Sequence, residues 1–205
     1  MTPFQVVPGQ TELVYSMPTA APDATEAEKP ALQAGGKVDP VILLLAGVVK
    51  FNTTLKSLTL AAGVNNEGAA SVATALKDNK ALEHIDVSGQ NAYDSTGAAA
   101  IAEAIRDHPK LQTVKIEGAT SLPIAQLRGT SGAEVALNVN HWNLGVLSAH
   151  AMGSLLRGNL FLSSLSLDHN QFGADGIQAI IQGLGEAPIK SLHIKGTGLA
   201  GTEDD

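Results

Sequence analysis

The sequence predicts an α/β solenoid, a curved parallel sheet with helices on its convex side, built from about six short repeats. Three observations predict it. An apolar-x-x-apolar-x-apolar pattern starts at positions 55, 82, 111, 134, 162 and 189, with spacings of 27, 29, 23, 28 and 27. Between copies lies an Ala-rich stretch with apolar residues every three to four positions, the period of an amphipathic helix. Each apolar triplet is too short to bury its face alone and must stack on its neighbours, which is what a constant period of this length provides.

Residues 1–38 hold prolines at 3, 8, 18, 22 and 30, so they read as an extended or flexible Pro/Ala-rich arm. Phe4, Val6, Val7, Leu13, Val14 and Tyr15 are the arm's candidates for docking on a partner's surface. Residues 40–52 read as a helix of an incomplete first repeat that shields the first strand. The strand triplets follow: Leu55, Leu58 and Leu60; Leu82, Ile85 and Val87; Leu111, Val114 and Ile116; Leu162, Leu165 and Leu167; Ile189, Leu192 and Ile194. A degenerate copy has Leu137 and Val139, with Glu134 in the first apolar position. The helices carry Ala69, Val72, Ala73 and Leu76; Ala98, Ile101, Ala104 and Ile105; Ala151, Leu155 and Leu156; Ile177, Ile180, Ile181 and Leu184. Pro123 predicts an irregular loop rather than a helix over 121–132. The expected organisation is an arm (1–38), a repeat domain (39–198) and an acidic tail (199–205).

Composition removes several function classes. A net charge of −7, with three scattered arginines, argues against nucleic acid or anionic lipid as partner. The absence of cysteine excludes disulfides, thiolate metal sites and a catalytic thiol. The longest apolar run, 41–49, is about half of a membrane span, and the N-terminus has neither a basic region nor a continuous apolar core of a signal peptide.

Weak motifs are present. His141 and His169 occupy equivalent positions in adjacent repeats beside Asp168, too few ligands for a metal centre. Gly196, Gly198 and Gly201 form G-x-G-x-x-G, but no helix follows to receive a pyrophosphate. Trp142, with Phe161 and Phe172, reads as a plug for the irregular region. No catalytic, cofactor-binding or metal-ligating residues are nominated, and no enzyme is expected.

The phrases GAASVATALKDNKALEHIDVSG, LSSLSLDHNQFGADG and GIQAIIQGL resemble the helix-and-strand unit of leucine-rich-repeat proteins of the ribonuclease-inhibitor type, a group that includes the NOD-like receptors and tropomodulin. The resemblance covers about residues 40–198, and it departs from the pattern where Gly63, Gln90, Ala119, Trp142 and Thr197 replace the asparagine kept at Asn170. It implies a protein partner on the concave face, in a row of Thr59, Asp86, Lys115, Asn138, Ser166 and His193, with His84 beside it. It also implies a cytoplasmic or cytoskeletal setting. The resulting expectation is a non-catalytic scaffold subunit of a multi-subunit complex, without cofactor. The alternative is a regulator or inhibitor binding one protein on that face.

Overall fold

A computed structural model of the chain describes residues 9–16, 39–117, 120–130, 132, 134–185 and 187–199. The fold is mixed α/β, with six helices among the described residues. The first part of the chain runs β1 (Glu12–Tyr15), α1 (Pro40–Phe51), β2 (Ser57–Leu60), β3 (Ala62–Asn65), α2 (Asn66–Asp78), β4 (His84–Asp86), β5 (Gln90–Ala92) and α3 (Ser95–Arg106). The second runs β6 (Thr113–Lys115), β7 (Leu122–Pro123), α4 (Ile124–Arg128), β8 (Val135–Asn138), α5 (Val146–Leu156), β9 (Leu162–Ser166), α6 (Gly173–Leu184) and β10 (Ser191–His193). Strands β1, β2, β4 and β6 pair in parallel in that order, and β7 closes the sheet antiparallel to β6. A second parallel sheet holds β8, β9 and β10, and β3 pairs with β5 in a small third one.

The apolar pattern sets the register. Leu58, Ile85 and Val114 align on adjacent strands, as do Leu137, Leu165 and Leu192. All but Leu192 are buried in one aliphatic core with the inward faces of the helices. Small residues bring helices and neighbours close, and Gly183 of α6 lies against the backbone of Gly153 in α5. Helix starts are explained by their caps: Asp39 accepts from the Val41 amide, Asn65 from Gly68 and Asp94 from Thr96. α5 begins at Gly145 without a capping side chain of its own. Glu117 supplies the cap from a distance, with Oε2 accepting from the Gly145 and Ser148 amides at 2.9 and 2.8 Å.

Four features differ from the sequence reading. The arm residues Glu12–Tyr15 form β1, in register with β2 so that Leu13 sits beside Leu58 and Tyr15 beside Leu60. β1 supplies a strand for the incomplete first repeat, and α1 lies between it and β2 in the chain as later helices lie between their strands. The Tyr15 hydroxyl donates to Asp39 Oδ2 at 2.6 Å, tying β1 to the cap of α1; burial and the Asp39 carboxylate hold the phenol well above its usual range. Second, the segment 121–132 contains β7 and the five-residue α4, with Ile124 and Leu127 buried beneath it. Pro123 stands just before that helix, where its missing amide costs nothing. Third, the degenerate copy is offset by one residue. A bulge places Val135 opposite Leu162, so Val135 takes the buried position expected for Glu134, which is exposed. Fourth, β6 and β8 belong to separate sheets.

A buried polar ladder runs along the turns that join helices to strands. Asn79 Nδ2 donates to the Val49 and Asn52 carbonyls, while its Oδ1 accepts from the Ala81 and Leu82 amides. Asn159 repeats this, donating to Gln126 and Leu127 and accepting from Phe161 and Leu162. Between them stands His108, whose Nδ1 accepts from the Lys110 and Leu111 amides. The short α4 offers no asparagine at its end, and the Arg128 guanidinium donates instead to the Ile105 and His108 carbonyls. Burial first, then the charges of Lys80 and Arg128, push His108 down from 6.5 to about 4. The unfolded chain therefore takes up a proton first as pH falls. Stability from this group is whole above pH 6.5 and is lost towards pH 4, by about 2 kcal/mol at pH 5. His108→Asn, which restores the ladder residue, is expected to remove this component. Denaturant unfolding at pH 8 and pH 5 checks it, and an equal pH loss in both proteins would refute the assignment.

Candidate functional site

The sheet face turned away from the helices gathers the predicted row residues in two groups. Thr59, Asp86 and Lys115 lie side by side on β2, β4 and β6. Asn138, Ser166 and His193 lie side by side on β8, β9 and β10. The row is not continuous, because β7 and the break between the sheets separate Lys115 from Asn138.

In the first group Lys115 Nζ approaches Asp86 Oδ2 at 3.3 Å, and Asp86 Oδ1 accepts from the Ser88 hydroxyl at 2.6 Å. His84 Nδ1 contacts Thr113 Oγ1 at 2.8 Å. One row further out, Lys56 Nζ meets Glu83 Oε1 at 2.7 Å, and this ammonium holds the Glu83 carboxyl below its usual range. In the second group His193 Nε2 contacts Ser191 Oγ at 2.8 Å, and Asn138 Oδ1 accepts from the Asn140 amide. Charges on this face are thus matched locally. Such a surface is polar and pre-organised, with Asp86 and Glu83 each paired to a lysine of the neighbouring strand region.

The ends of β8, β9 and β10 carry a different cluster. His141 and His169 adopt left-handed backbone, φ 59° and 56°, and their rings stack with centroids 4.4 Å apart. Gly196, at φ 60°, continues the line, and a Cβ there would stand 2.8 Å from His169 Nδ1. Asp168 accepts from the Lys195 amide at 2.7 Å and ties β9 to the turn after β10. Among the described residues no group of three or more His, Asp or Glu could hold a metal ion. The Gly196–Gly198 segment is a turn, and residues 200–205 lie outside the described residues. Phe172 is core, Trp142 packs partly buried against it, and Phe161 is partly exposed.

Of the arm residues, Leu13 is buried in the chain's own core, Tyr15 is half-buried, and Val14 stands 60% exposed. Phe4, Val6 and Val7 lie outside the described residues.

Two surface features had no place in the sequence reading. A groove of about 390 Å³ runs between α3, α5 and α6, lined by Glu103, His150, Ser154, Arg157 and Asp175. Within it Glu103 Oε1 accepts from Arg157 at 3.0 Å and from Ser154 at 3.3 Å. Its floor is α5, which is buried on nearly every side because the short α4 lets it pack against α3 as well as α6. The segment VLSAHAMGSLL carries no Asp, Glu, Lys or Arg, which was the available signal. The other feature is the outer side of α1, where Leu43, Leu44 and Phe51 are exposed. No helix among the described residues is long and apolar enough to cross a membrane.

No protein-family model matches the chain, and no curated protein matches it.

Proposed function

We propose that the chain is a leucine-rich-repeat solenoid acting as a non-catalytic scaffold subunit of a larger assembly, with protein partners docked on its sheet face and open edges. Parallel pairing of successive strands through intervening helices supports the solenoid reading. The observation that carries the assembly reading is Leu192. It is 37% exposed on β10, an edge strand among the described residues, whereas its register mates Leu165 and Leu137 are 0% and 6% exposed. An edge strand with an open apolar position invites pairing and is normally covered.

The first test is the native size of the chain in an extract of its source. A particle far larger than 21.0 kDa is expected, and a chain migrating alone would count against the assembly reading. A second reading, a regulator holding one protein on the sheet face, is favoured by the in-register Thr59–Asp86–Lys115 group. Replacing Asp86, Lys115 and His193 together by alanine separates the two. A regulator loses its partner by roughly a hundredfold or more, whereas an edge-docked subunit stays in its particle.

A further inference from the structure

The sequence of α1 contains one charged residue, Lys50, and its ammonium pairs with Asp78 of α2 at 3.0 Å. Ile42, Leu45, Ala46 and Val49 face the core. On the opposite side Leu43, Leu44, Gly47 and Phe51 form a stripe at i, i+1, i+4 and i+8, with Leu44 60% and Phe51 78% exposed. A helix apolar all round is one built for burial on both sides, and α2 and the sheet account for only one of them.

We propose that this stripe is a self-association surface, on which two copies of the chain pair with their α1 helices antiparallel and crossing at Gly47. The shape of the stripe selects a second copy as the occupant. Large side chains, Leu43 and Phe51, stand four residues before and four after Gly47, so a two-fold axis at that glycine brings each Phe51 against Leu43 and Leu44 of the other copy. Such an interface must be complementary to itself. Nothing lies within 4 Å of the position a Gly47 Cβ would occupy, leaving a notch at the crossing. The one charge on α1, the Lys50 ammonium, lies 5.3 Å from the centre of its own Phe51 ring and is paired with Asp78, so the stripe brings no unpaired like charge to the crossing although the chain carries −7. The pairing does not depend on the scaffold reading, because it needs no other protein.

The chain has no cysteine, so Gly47→Cys introduces a single thiol at the crossing in an open, helical position. Helix axes about 8–10 Å apart, with Cα atoms about 2.3 Å from each axis, bring the two Cα atoms to about 3.5–5.5 Å. That range overlaps the disulfide window of about 4.4–6.8 Å. Sedimentation of the full chain is expected to give a concentration-dependent species of twice 21.0 kDa. Under mild oxidation Gly47→Cys should become a covalent dimer, while a thiol on the exposed side of α6, Ala174→Cys, should not. Leu44→Ser with Phe51→Ser should weaken the dimer by roughly tenfold or more without changing the circular dichroism, since both side chains are exposed. Any of three results overturns the proposal: a monomer at every concentration, a dimer that Gly47→Cys does not link, or a monomeric Gly47→Cys variant whose thiol resists a maleimide. The last would mean that another part of the chain, such as the segment 17–38, covers the stripe.

Discussion

Gly183→Ala is expected to lower stability by about 3 kcal/mol, because the new methyl has nowhere to go. Its Cβ would lie 2.0 Å from the Gly153 carbonyl oxygen, and a Cβ on Gly153 would lie 2.3 Å from that of Ala179. Both obstacles are backbone, so no side chain can rotate away and α6 must move off α5. In a chain of this size about 3 kcal/mol corresponds to a fall in Tm of about 6–12 °C. Thr74→Ala is the control. It is exposed on α2, away from any close helix contact, and is expected to stabilise by about 0.5 kcal/mol through helix propensity alone. Thermal unfolding of the two variants side by side decides the matter. Equal midpoints would mean that α5 and α6 do not approach as closely as described.

Asn159→Ala is expected to cost a similar amount by a different route. The 1% exposed amide makes four hydrogen bonds, at 2.8 and 2.9 Å to the Gln126 and Leu127 carbonyls and at 2.9 and 3.0 Å from the Phe161 and Leu162 amides. Alanine leaves two acceptors and two donors without partners, several of them away from water, at about 3 kcal/mol in total. Asn52 stands at the matching turn of the first copy, partly exposed, and accepts from the Thr54 and Leu55 amides. Asn52→Ala should therefore cost only about 1 kcal/mol, since water replaces much of what is lost. Denaturant unfolding of both variants tests the ladder, and a cost at position 159 no greater than at position 52 would sink it.

Leu58, Ile85 and Val114 announced their alignment, because a period of two within each strand and a near-constant spacing between strands leave one register that buries every apolar position. Position 134 shows the limit of that logic. A single extra residue in β9, Ser163, moves the frame, and only pairing with a neighbour distinguishes Glu134 from Val135. β1 was hidden for a related reason. Its apolar pair, Leu13 and Tyr15, lacks a third member and is separated from its helix by the segment 17–38, so the repeat spacing cannot locate it. The helix-end ladder left a trace, an Asn or His three residues before Leu55, Leu82, Leu111 and Leu162, but a polar residue before a strand also reads as an ordinary turn. As for the candidate face, in-strand alternation placed Thr59, Asp86 and Lys115 side by side, whereas the break before Asn138 depends on how Leu122 and Pro123 pair back on β6.

That break also governs how the molecule holds together. Within each parallel sheet the strands are joined by ladder hydrogen bonds, so loosening one strand loosens the next; between β6 and β8 no such rung exists. Continuity across the seam falls to α3 against α5, to Glu117 reaching the start of α5, and to Asn159 reaching back to the end of α4. The interruption is therefore confined to the sheet layer: the helix layer and the single aliphatic core run across the seam without a break, so the two sheets are held together by packing rather than by backbone hydrogen bonds.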